Sequence, residues 1–245
     1  MKKFLLVVLA LTALPGVPVH ARPALLEPAV RIEGAAHQQP HLALTLDACG
    51  GRTDQRIFSA LVANAIPATV FVTARWLRRN PDTLKLMLNH PDLFQIENHG
   101  GRHIPAVDVP AKVYGIAAAG SPQAVTAEVM AGAEAIKAAT GHAPHWYRGA
   151  TGRYTSGAMA EIAATGEAVA GYSLRADDGA LLPARAVERR LSQARNGDVI
   201  IAHANHPEKP AGEGVVKGIL ALRAQGFLFV KLDAPPRAAH PNHGS

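Results

Sequence analysis

Short β-rich runs alternate with amphipathic helical patterns along most of this chain. The β-rich runs lie at 42–47, 69–73, 93–97, 145–148, 168–174, 198–203 and 227–232. Helical patterns lie at 54–64, 81–89, 122–140, 155–165, 184–195 and 213–225. Strands that alternate with helices indicate a parallel sheet with crossover helices. We therefore predict an α/β fold with seven strands, as a closed or nearly closed β/α barrel, with an open doubly wound sheet as the main alternative.

The first 21 residues have the pattern of a secretory signal peptide. Lys2 and Lys3 precede an apolar run from Phe4 to Leu14, and Val19 and Ala21 stand at positions −3 and −1 of a candidate cleavage site. The apolar run is too short to span a bilayer comfortably, and no second long run follows it. We therefore expect a secreted or periplasmic protein, cleaved near Ala21 and without a membrane span afterwards; an uncleaved anchor is the alternative.

The rest of the chain divides into three parts. We predict an extended lead-in at 22–40, a barrel domain at 41–233 and a Pro- and His-rich tail at 234–245. A chain of 245 residues is long enough for one such domain with a sizeable core. The net charge of +6 suits an anionic cell envelope or serves solubility alone. Nucleic acid is not an expected partner, because the sequence has no nucleic-acid motif and no basic stripe interleaved with aromatic residues.

Polar side chains follow the predicted strands at their carboxyl ends, where β/α barrels build their active sites. They are Asp47, His99, Arg148, Asp177, Asp178 and His203. His203 suits a general acid or a buried structural histidine. Arg148 suits a two-pronged bond to a carboxylate or an ordinary surface position. The long connection at 100–121 is also expected to carry function, as long loops at that position usually do.

His99 and His103 stand four residues apart in the sequence HGGRH. If residues 99–103 form a helical turn, both imidazoles face the same way, as metal-binding histidines do. Two surface histidines in a polar loop are the alternative interpretation. Two histidines and one carboxylate make a common open metal site, and Asp47 is the nearest candidate carboxylate.

The order of these residues resembles five motifs of the polysaccharide deacetylases of the NodB-homology type, carbohydrate esterase family 4. TLDACG at 45–50 is similar to the first motif, T-F-D-D-G, and QIENHGGRH at 95–103 to the second, H-(S/T)-x-x-H. RGATG at 148–152 partly matches R-x-P-x-G, SLRADDG at 173–179 is a degraded fourth motif, and IAH at 201–203 matches L-x-H. The matches keep their order across residues 41–233.

The resemblance implies a distorted (β/α)7 barrel that hydrolyses N- or O-acetyl groups on an acetylated polysaccharide or peptidoglycan. It implies a divalent metal, zinc first, with cobalt or nickel as alternatives. The implied metal ligands are His99 and His103. The implied catalytic residues are Asp47 as the base, Arg148 as the residue that holds the base, His203 as the acid and Asp178 as the carboxylate that orients His203.

The first motif departs from the family at Ala48, where the family has the aspartate that is usually the third metal ligand. Three interpretations stay open. Asp47 becomes the third ligand; or another group, Cys49 among them, completes the site with Asp47 as base; or the metal is lost. Cys49, the only cysteine in the chain, alternatively fills a small buried space. A non-catalytic sugar-binding envelope protein and another amide or imide hydrolase are therefore the alternative functions.

Overall fold

A computed structural model describes residues 23–32 and 39–232 of the chain. The strands are β1 (His41–Ala48), β2 (Ala68–Val72), β3 (Phe94–Asn98), β4 (Lys112–Val113), β5 (Ile116–Ala117), β6 (Trp146–Tyr147), β7 (Ala168–Val169), β8 (Leu174–Arg175), β9 (Val199–His203) and β10 (Leu228–Val230). The helices are α1 (Gln55–Ala63), α2 (Ala74–Arg79), α3 (Pro81–Asn89), α4 (Pro122–Thr140), α5 (Ser156–Ala164), α6 (Ala184–Leu191) and α7 (Ala211–Ala224). The predicted signal peptide at 1–21 and the tail at 234–245 lie outside the described residues.

Eight strands form one parallel sheet in the order β7-β6-β3-β2-β1-β9-β8, with β10 also paired to β1. Ala43 of β1 pairs with Val199 of β9 and with Val230 of β10, and from Thr45 onward β2 replaces β10 on that side. Among the described residues β7 and β8 do not pair, so the barrel is open between them. The curved parallel sheet with its surrounding helices confirms the predicted α/β fold and the distorted (β/α)7 barrel.

The strand predicted at 168–174 is broken into β7 and β8. The Ala170 amide still donates to Tyr147 on the β6 side, whereas the Ser173 amide donates to Val199 on the β9 side. The chain crosses from one open edge to the other between these residues. At the crossing, Gly171 lies so close to the Pro28 carbonyl that a Cβ would overlap it, and residues 23–32 lie across the gap.

Side chains of β1 alternate between two environments. Leu44, Leu46 and Ala48 pack into the apolar cluster that contains Leu61 of α1 and Ile219 of α7. Each such buried leucine contributes about 1.5–3 kcal/mol to folding. Thr45 and Asp47 point the other way and bind a buried arginine inside the barrel. The alternation therefore directs the Asp47 carboxylate into the barrel and the Ala48 methyl away from it.

The long connection at 100–121 contains a short antiparallel hairpin, β4–β5, that the sequence pattern did not indicate. Its two turn residues, Tyr114 and Gly115, both have positive φ values, of 50° and 81°. Positive φ at both central positions is the signature of a type I′ turn. In the part of the chain that the structure describes, no helix is long and apolar enough to cross a membrane.

Candidate active site

A cavity of about 530 Å³ opens at the carboxyl ends of the strands. Asp47 and His203 face each other across the β1–β9 ladder as a register pair. Both line the cavity, together with His99, His103 and Asp177. The fold thus brings to one place residues that are far apart in the sequence, at the end of the barrel where chemistry is expected.

Arg148 is fully buried and holds Asp47 from inside the barrel. One guanidinium nitrogen, Nη1, donates to Asp47 Oδ1 at 3.0 Å and to Thr45 Oγ1 at 2.7 Å. Nε and Nη2 donate to the carbonyls of Ala170 and Gly171, at 3.2 and 3.0 Å. Those carbonyls lie at the break between β7 and β8, so the same side chain holds the carboxylate and satisfies backbone that the interrupted sheet leaves unpaired.

The Asp47 carboxyl is ionised in this environment. Burial alone would raise its pKa, but the Arg148 guanidinium together with His99 and His203 outweighs burial. The pKa of Asp47 therefore lies below its usual value. A carboxylate held in one orientation and kept charged can accept a proton from a bound water.

His99 follows β3 and is oriented by a backbone carbonyl. Its Nδ1 lies 2.5 Å from the Arg148 carbonyl oxygen, so Nδ1 carries a proton and donates to that oxygen. Its Nε2 faces the cavity, 3.4 Å from Cys49 Sγ and 3.8 Å from Asp47 Oδ2. A fixed tautomer with a free Nε2 is the arrangement of metal-binding histidines.

His103 reaches His99 by a route that differs from the predicted helical turn. Residues 99–103 form an irregular loop, and His103 itself adopts the left-handed conformation with φ 69°. The amides on both sides of it, of Arg102 and Ile104, donate to Glu128 Oε1 at 2.8 and 3.1 Å. The two imidazoles lie together all the same, with ring centroids 4.9 Å apart. The helical-turn interpretation was wrong, because two glycines and a left-handed histidine prevent residues 99–103 from forming a helix.

Three side chains could hold a metal ion. Donor atoms of Cys49, His99 and His103 all lie within 4.8 Å of one another. In a tetrahedral zinc site such donors are roughly 3.3–3.8 Å apart, so a small contraction would complete the geometry. Asp47 is not a member of this group, although its second oxygen, Oδ2, lies 3.8 Å from His99 Nε2. The predicted ligand set of His99, His103 and Asp47 stays a prediction, and Cys49 is the third donor that the geometry of this group favours.

The chemistry of this donor set fits a divalent metal. One thiolate and two imidazoles suit zinc and leave a fourth position open. Burial would raise the pKa of the Cys49 thiol, but the charges and hydrogen bonds of three histidines lower it well below its usual range. The thiolate is the form that binds metals. Ala48, by contrast, is fully buried against the helix layer and offers nothing to the cavity.

His203 is oriented by Asp177, and not by Asp178 as predicted. The fully buried Asp177 accepts from the His203 backbone amide at 2.7 Å, and its Oδ1 lies 2.9 Å from His203 Nδ1. Asp178 binds Arg190 at 2.7 Å with a side chain 37% exposed. The positive φ of Asp178, 49°, turns the chain between the two aspartates, so only the first binds His203, although both line the cavity. Burial would lower the pKa of His203, but Asp177 and Cys49 together outweigh burial and hold that pKa well above its usual value, which makes the ring a proton donor.

Sequence reasoning missed Glu128 and Tyr114. Glu128 lies in the middle of α4, with nothing in its spacing to connect it to the loop that carries His103. Tyr114 lines the cavity from the β4–β5 turn, within the connection that was expected to carry function. A Tyr-Gly pair at a hairpin turn is the only local signal that could have pointed to it.

Comparison with known proteins places the chain in a family. A family model described as polysaccharide deacetylase matches residues 34–170, more than half of the chain. No curated protein matches the sequence significantly. The solved structures that resemble it are distant in sequence, and the following three illustrate the range.

A family 4 carbohydrate esterase from Streptomyces lividans, solved with acetate, has a TM-score of 0.65 and 19% identity, covering 83% of this chain and 98% of its own. The peptidoglycan deacetylase PdaC from Bacillus subtilis has a TM-score of 0.65 and 21% identity, covering 80% and 89%. BA3943 from Bacillus anthracis, described as a CE4 family pseudoenzyme, has a TM-score of 0.65 and 17% identity, covering 86% and 68%. At these identities the structures establish the shared fold. The family match, in agreement with that fold, shows that this chain belongs to the polysaccharide deacetylases, a family of hydrolases that act on acetyl groups.

Proposed function

We propose that this protein is an exported, metal-dependent hydrolase that removes N- or O-acetyl groups from an acetylated polysaccharide or peptidoglycan. The observation that carries the proposal is the convergence of an ionised carboxylate, a protonated histidine and a three-donor metal-ligand cluster on one cavity. The signal-peptide pattern at 1–21 supports export. Peptidoglycan deacetylases among the structural neighbours support the substrate class.

Cys49, His99 and His103 would hold the metal, with zinc as the first choice for one thiolate and two imidazoles. When bound, such an ion polarises the acetyl carbonyl and lowers the pKa of a water at the open position. The chain's own contribution is to fix the donors. The Arg148 carbonyl orients His99, and Glu128 holds both amides that flank His103.

Asp47 acts as the general base. Its carboxylate takes a proton from the attacking water while the water oxygen bonds to the acetyl carbon. Arg148 holds Asp47 through Oδ1, which leaves the second oxygen, Oδ2, toward the cavity and His99. General base catalysis of this kind is worth about 10²–10⁴-fold in rate.

His203 acts as the general acid on the leaving group. As the carbon–nitrogen or carbon–oxygen bond breaks, the ring nitrogen Nε2 gives its proton to the departing amine or alcohol, and acetate remains. Asp177 binds Nδ1, so Nε2 is the nitrogen that remains for this transfer. Asp47 then gives up its proton and His203 regains one, which restores the starting state.

The activity is tested by acetate release from acetylated chitooligosaccharides, peptidoglycan and acetylated xylan, with added zinc or cobalt. We expect release from at least one of them, and a loss of at least about 100-fold in His203→Ala. His206→Ala is the matched control, because His206 pairs with Glu208 outside the cavity lining. Absence of acetate release from every substrate, with metal bound, would favour the non-catalytic sugar-binding alternative.

The ligand set is tested separately with cobalt. We expect elemental analysis to find one divalent ion per chain, and the cobalt form to show a near-ultraviolet sulfur-to-cobalt charge-transfer band. Cys49→Ser should lose that band, whereas Asp47→Asn should keep both the band and the metal. If Asp47→Asn loses the metal and Cys49→Ser keeps it, Asp47 is the third ligand instead.

A further inference from the structure

The mouth of the cavity carries an exposed apolar cluster above the polar site. Tyr114 is 65% exposed, Ile116 40% and Leu181 76%, and all three line the cavity. Exposed apolar side chains scattered singly over a surface need no explanation, but a group around one opening marks a binding surface. Tyr114 and Ile116 come from the β4–β5 hairpin, and Leu181 comes from the segment between β8 and α6.

Tyr114 adopts a backbone conformation that a tyrosine does not favour. Its φ of 50° is left-handed, which costs a residue with a Cβ about 1–2 kcal/mol. Asparagine or glycine would occupy this turn position with less strain. The exposed ring gains little from packing in return. Strain of this kind is found at ligand-binding positions, so the aromatic ring itself is the feature to explain.

Two arginines, Arg153 and Arg175, contact the Tyr114 side chain. The Arg153 guanidinium lies 5.2 Å from its centroid, and Arg153 is in turn tied to Glu27 by an ion pair of 3.3 Å. Glu27 also binds Arg175, at 2.9 Å, which lines the same cavity. The charged group therefore fixes the tyrosine ring at the mouth while most of its surface stays open to the solvent.

The geometry points to a sugar ring as the ligand of this tyrosine. One face of a pyranose presents C–H groups with partial positive charge, and the face of an aromatic ring carries the negative part of its quadrupole. We propose that Tyr114 stacks on a second sugar unit, next to the one whose acetyl group is removed. The proposal rests on the proposed function, and it deepens it by naming Tyr114 as the residue that favours an oligomer over a monosaccharide.

The test compares two substrates in each variant: an acetylated chitotetraose and monomeric N-acetylglucosamine. We expect Tyr114→Ala to lower kcat/KM for the tetramer by about ten-fold, mostly through KM, and to change the monomer rate by less than about two-fold. Tyr114→Phe should retain the wild-type values because it keeps the ring. Leu88→Ala, on α3, is the control, since Leu88 is 44% exposed but does not line the cavity.

Tyr114→Asn separates binding from backbone strain. Asparagine tolerates the left-handed conformation, so this variant should melt at or above the wild-type temperature and still lose the tetramer preference. Equal losses on both substrates, or no loss on either, would overturn the proposal. If no substrate is deacetylated, the proposed function fails by itself, and calorimetric binding of chitotetraose to the wild type and Tyr114→Ala still decides whether Tyr114 holds a sugar.

Discussion

The floor and the mouth of the cavity are built in opposite ways. The floor consists of Asp47, His99, Arg148 and Asp177, each at most 3% exposed, and hydrogen bonds or ion pairs fix every one of them. The mouth consists of Tyr114, Ile116 and Leu181, which are 40–76% exposed. The difference separates two tasks. Groups that transfer protons need one orientation, whereas groups that select a polymer need exposed surface.

Arg148→Met should show the largest effect, because Arg148 holds the floor residue Asp47 in place. It leaves Asp47 buried without its partner, and the carbonyls of Ala170 and Gly171 lose their donor. We expect a loss of roughly 3–5 kcal/mol in the free energy of unfolding, measured by urea denaturation, and the loss of acetate release. Arg175→Met, at the mouth, removes a half-exposed ion pair with Glu27 and should cost about 1 kcal/mol or less. Equal losses in the two variants would contradict the distinction.

The adjacent aspartates give a matched pair at the level of chemistry. Asp177→Asn removes the charge that orients His203 and keeps its ring protonated. We expect kcat to fall by about 10²–10⁴-fold. Asp178→Asn removes a partly exposed ion pair with Arg190, and we expect kcat to change by only a few-fold. The two losses of kcat are compared. If Asp178→Asn lowers kcat more than Asp177→Asn, Asp178 is the residue that orients His203, as the sequence predicted.

Glu128→Ala should weaken metal binding without touching a ligand. The amides of Arg102 and Ile104 lose their acceptor, and His103 is no longer held in its left-handed conformation. Loss of supporting hydrogen bonds of this kind typically costs about 10–100-fold in metal affinity. Cobalt titration would measure it, with Glu128→Gln as the variant that keeps an acceptor oxygen. An unchanged affinity in Glu128→Ala would show that the loop holds its shape unaided.

Glu167, which lies next to the floor, should show its effect in the pH dependence of stability. Both oxygens of the buried Glu167 carboxyl lie 3.0 Å from Asn98 Nδ2, next to His99. Burial raises the pKa of Glu167 to about 8, from 4.5. Between these values the folded state binds one more proton than the unfolded state, so stability falls as the pH rises.

The variant Glu167→Gln has no titrating carboxyl group at this position, so its stability should not fall in this way as the pH rises. Relative to it, the wild type is expected to lose about 1.4 kcal/mol per pH unit at most between pH 5 and 8, with no further change above. Urea unfolding at pH 5, 7 and 9 measures the difference. Glu134→Gln, at an exposed position on α4, is the control and should follow the wild type. Parallel curves for all three proteins would mean that Glu167 is already ionised when folded.

The sequence predicted the parts of the fold that depend on local patterns. Apolar runs flanked by helices correctly indicated β1, β2, β3 and β9, because these strands are buried on both faces and their composition shows it. The break between β7 and β8 was not predictable, since it depends on Arg148 and Pro28, which meet this segment only in the folded chain.

The sequence could predict which residues form the candidate site, but not the role of each residue. Asp47, His99, His103 and His203 follow strands and could be found by position alone. Which of two neighbouring aspartates orients His203 depends on one backbone angle, at Asp178. The choice between Asp47 and Cys49 as third ligand could not be made from the sequence, because Arg148, which binds one oxygen of the Asp47 carboxylate, comes about a hundred residues later.

The segment at 23–32 limits how far the protein can be shortened from its N-terminal side. Leu26 bridges to Tyr154, Arg31 to Asp198, and the Pro28 carbonyl accepts from Tyr172 between the two free strand edges. The family match begins only at residue 34, so a boundary drawn from similarity removes this segment. A shortened protein beginning at His41 would contain every catalytic group and still display unpaired strand edges, which favour self-association. We expect such a protein to aggregate, and its inactivity would then reflect lost solubility and not the chemistry of the site.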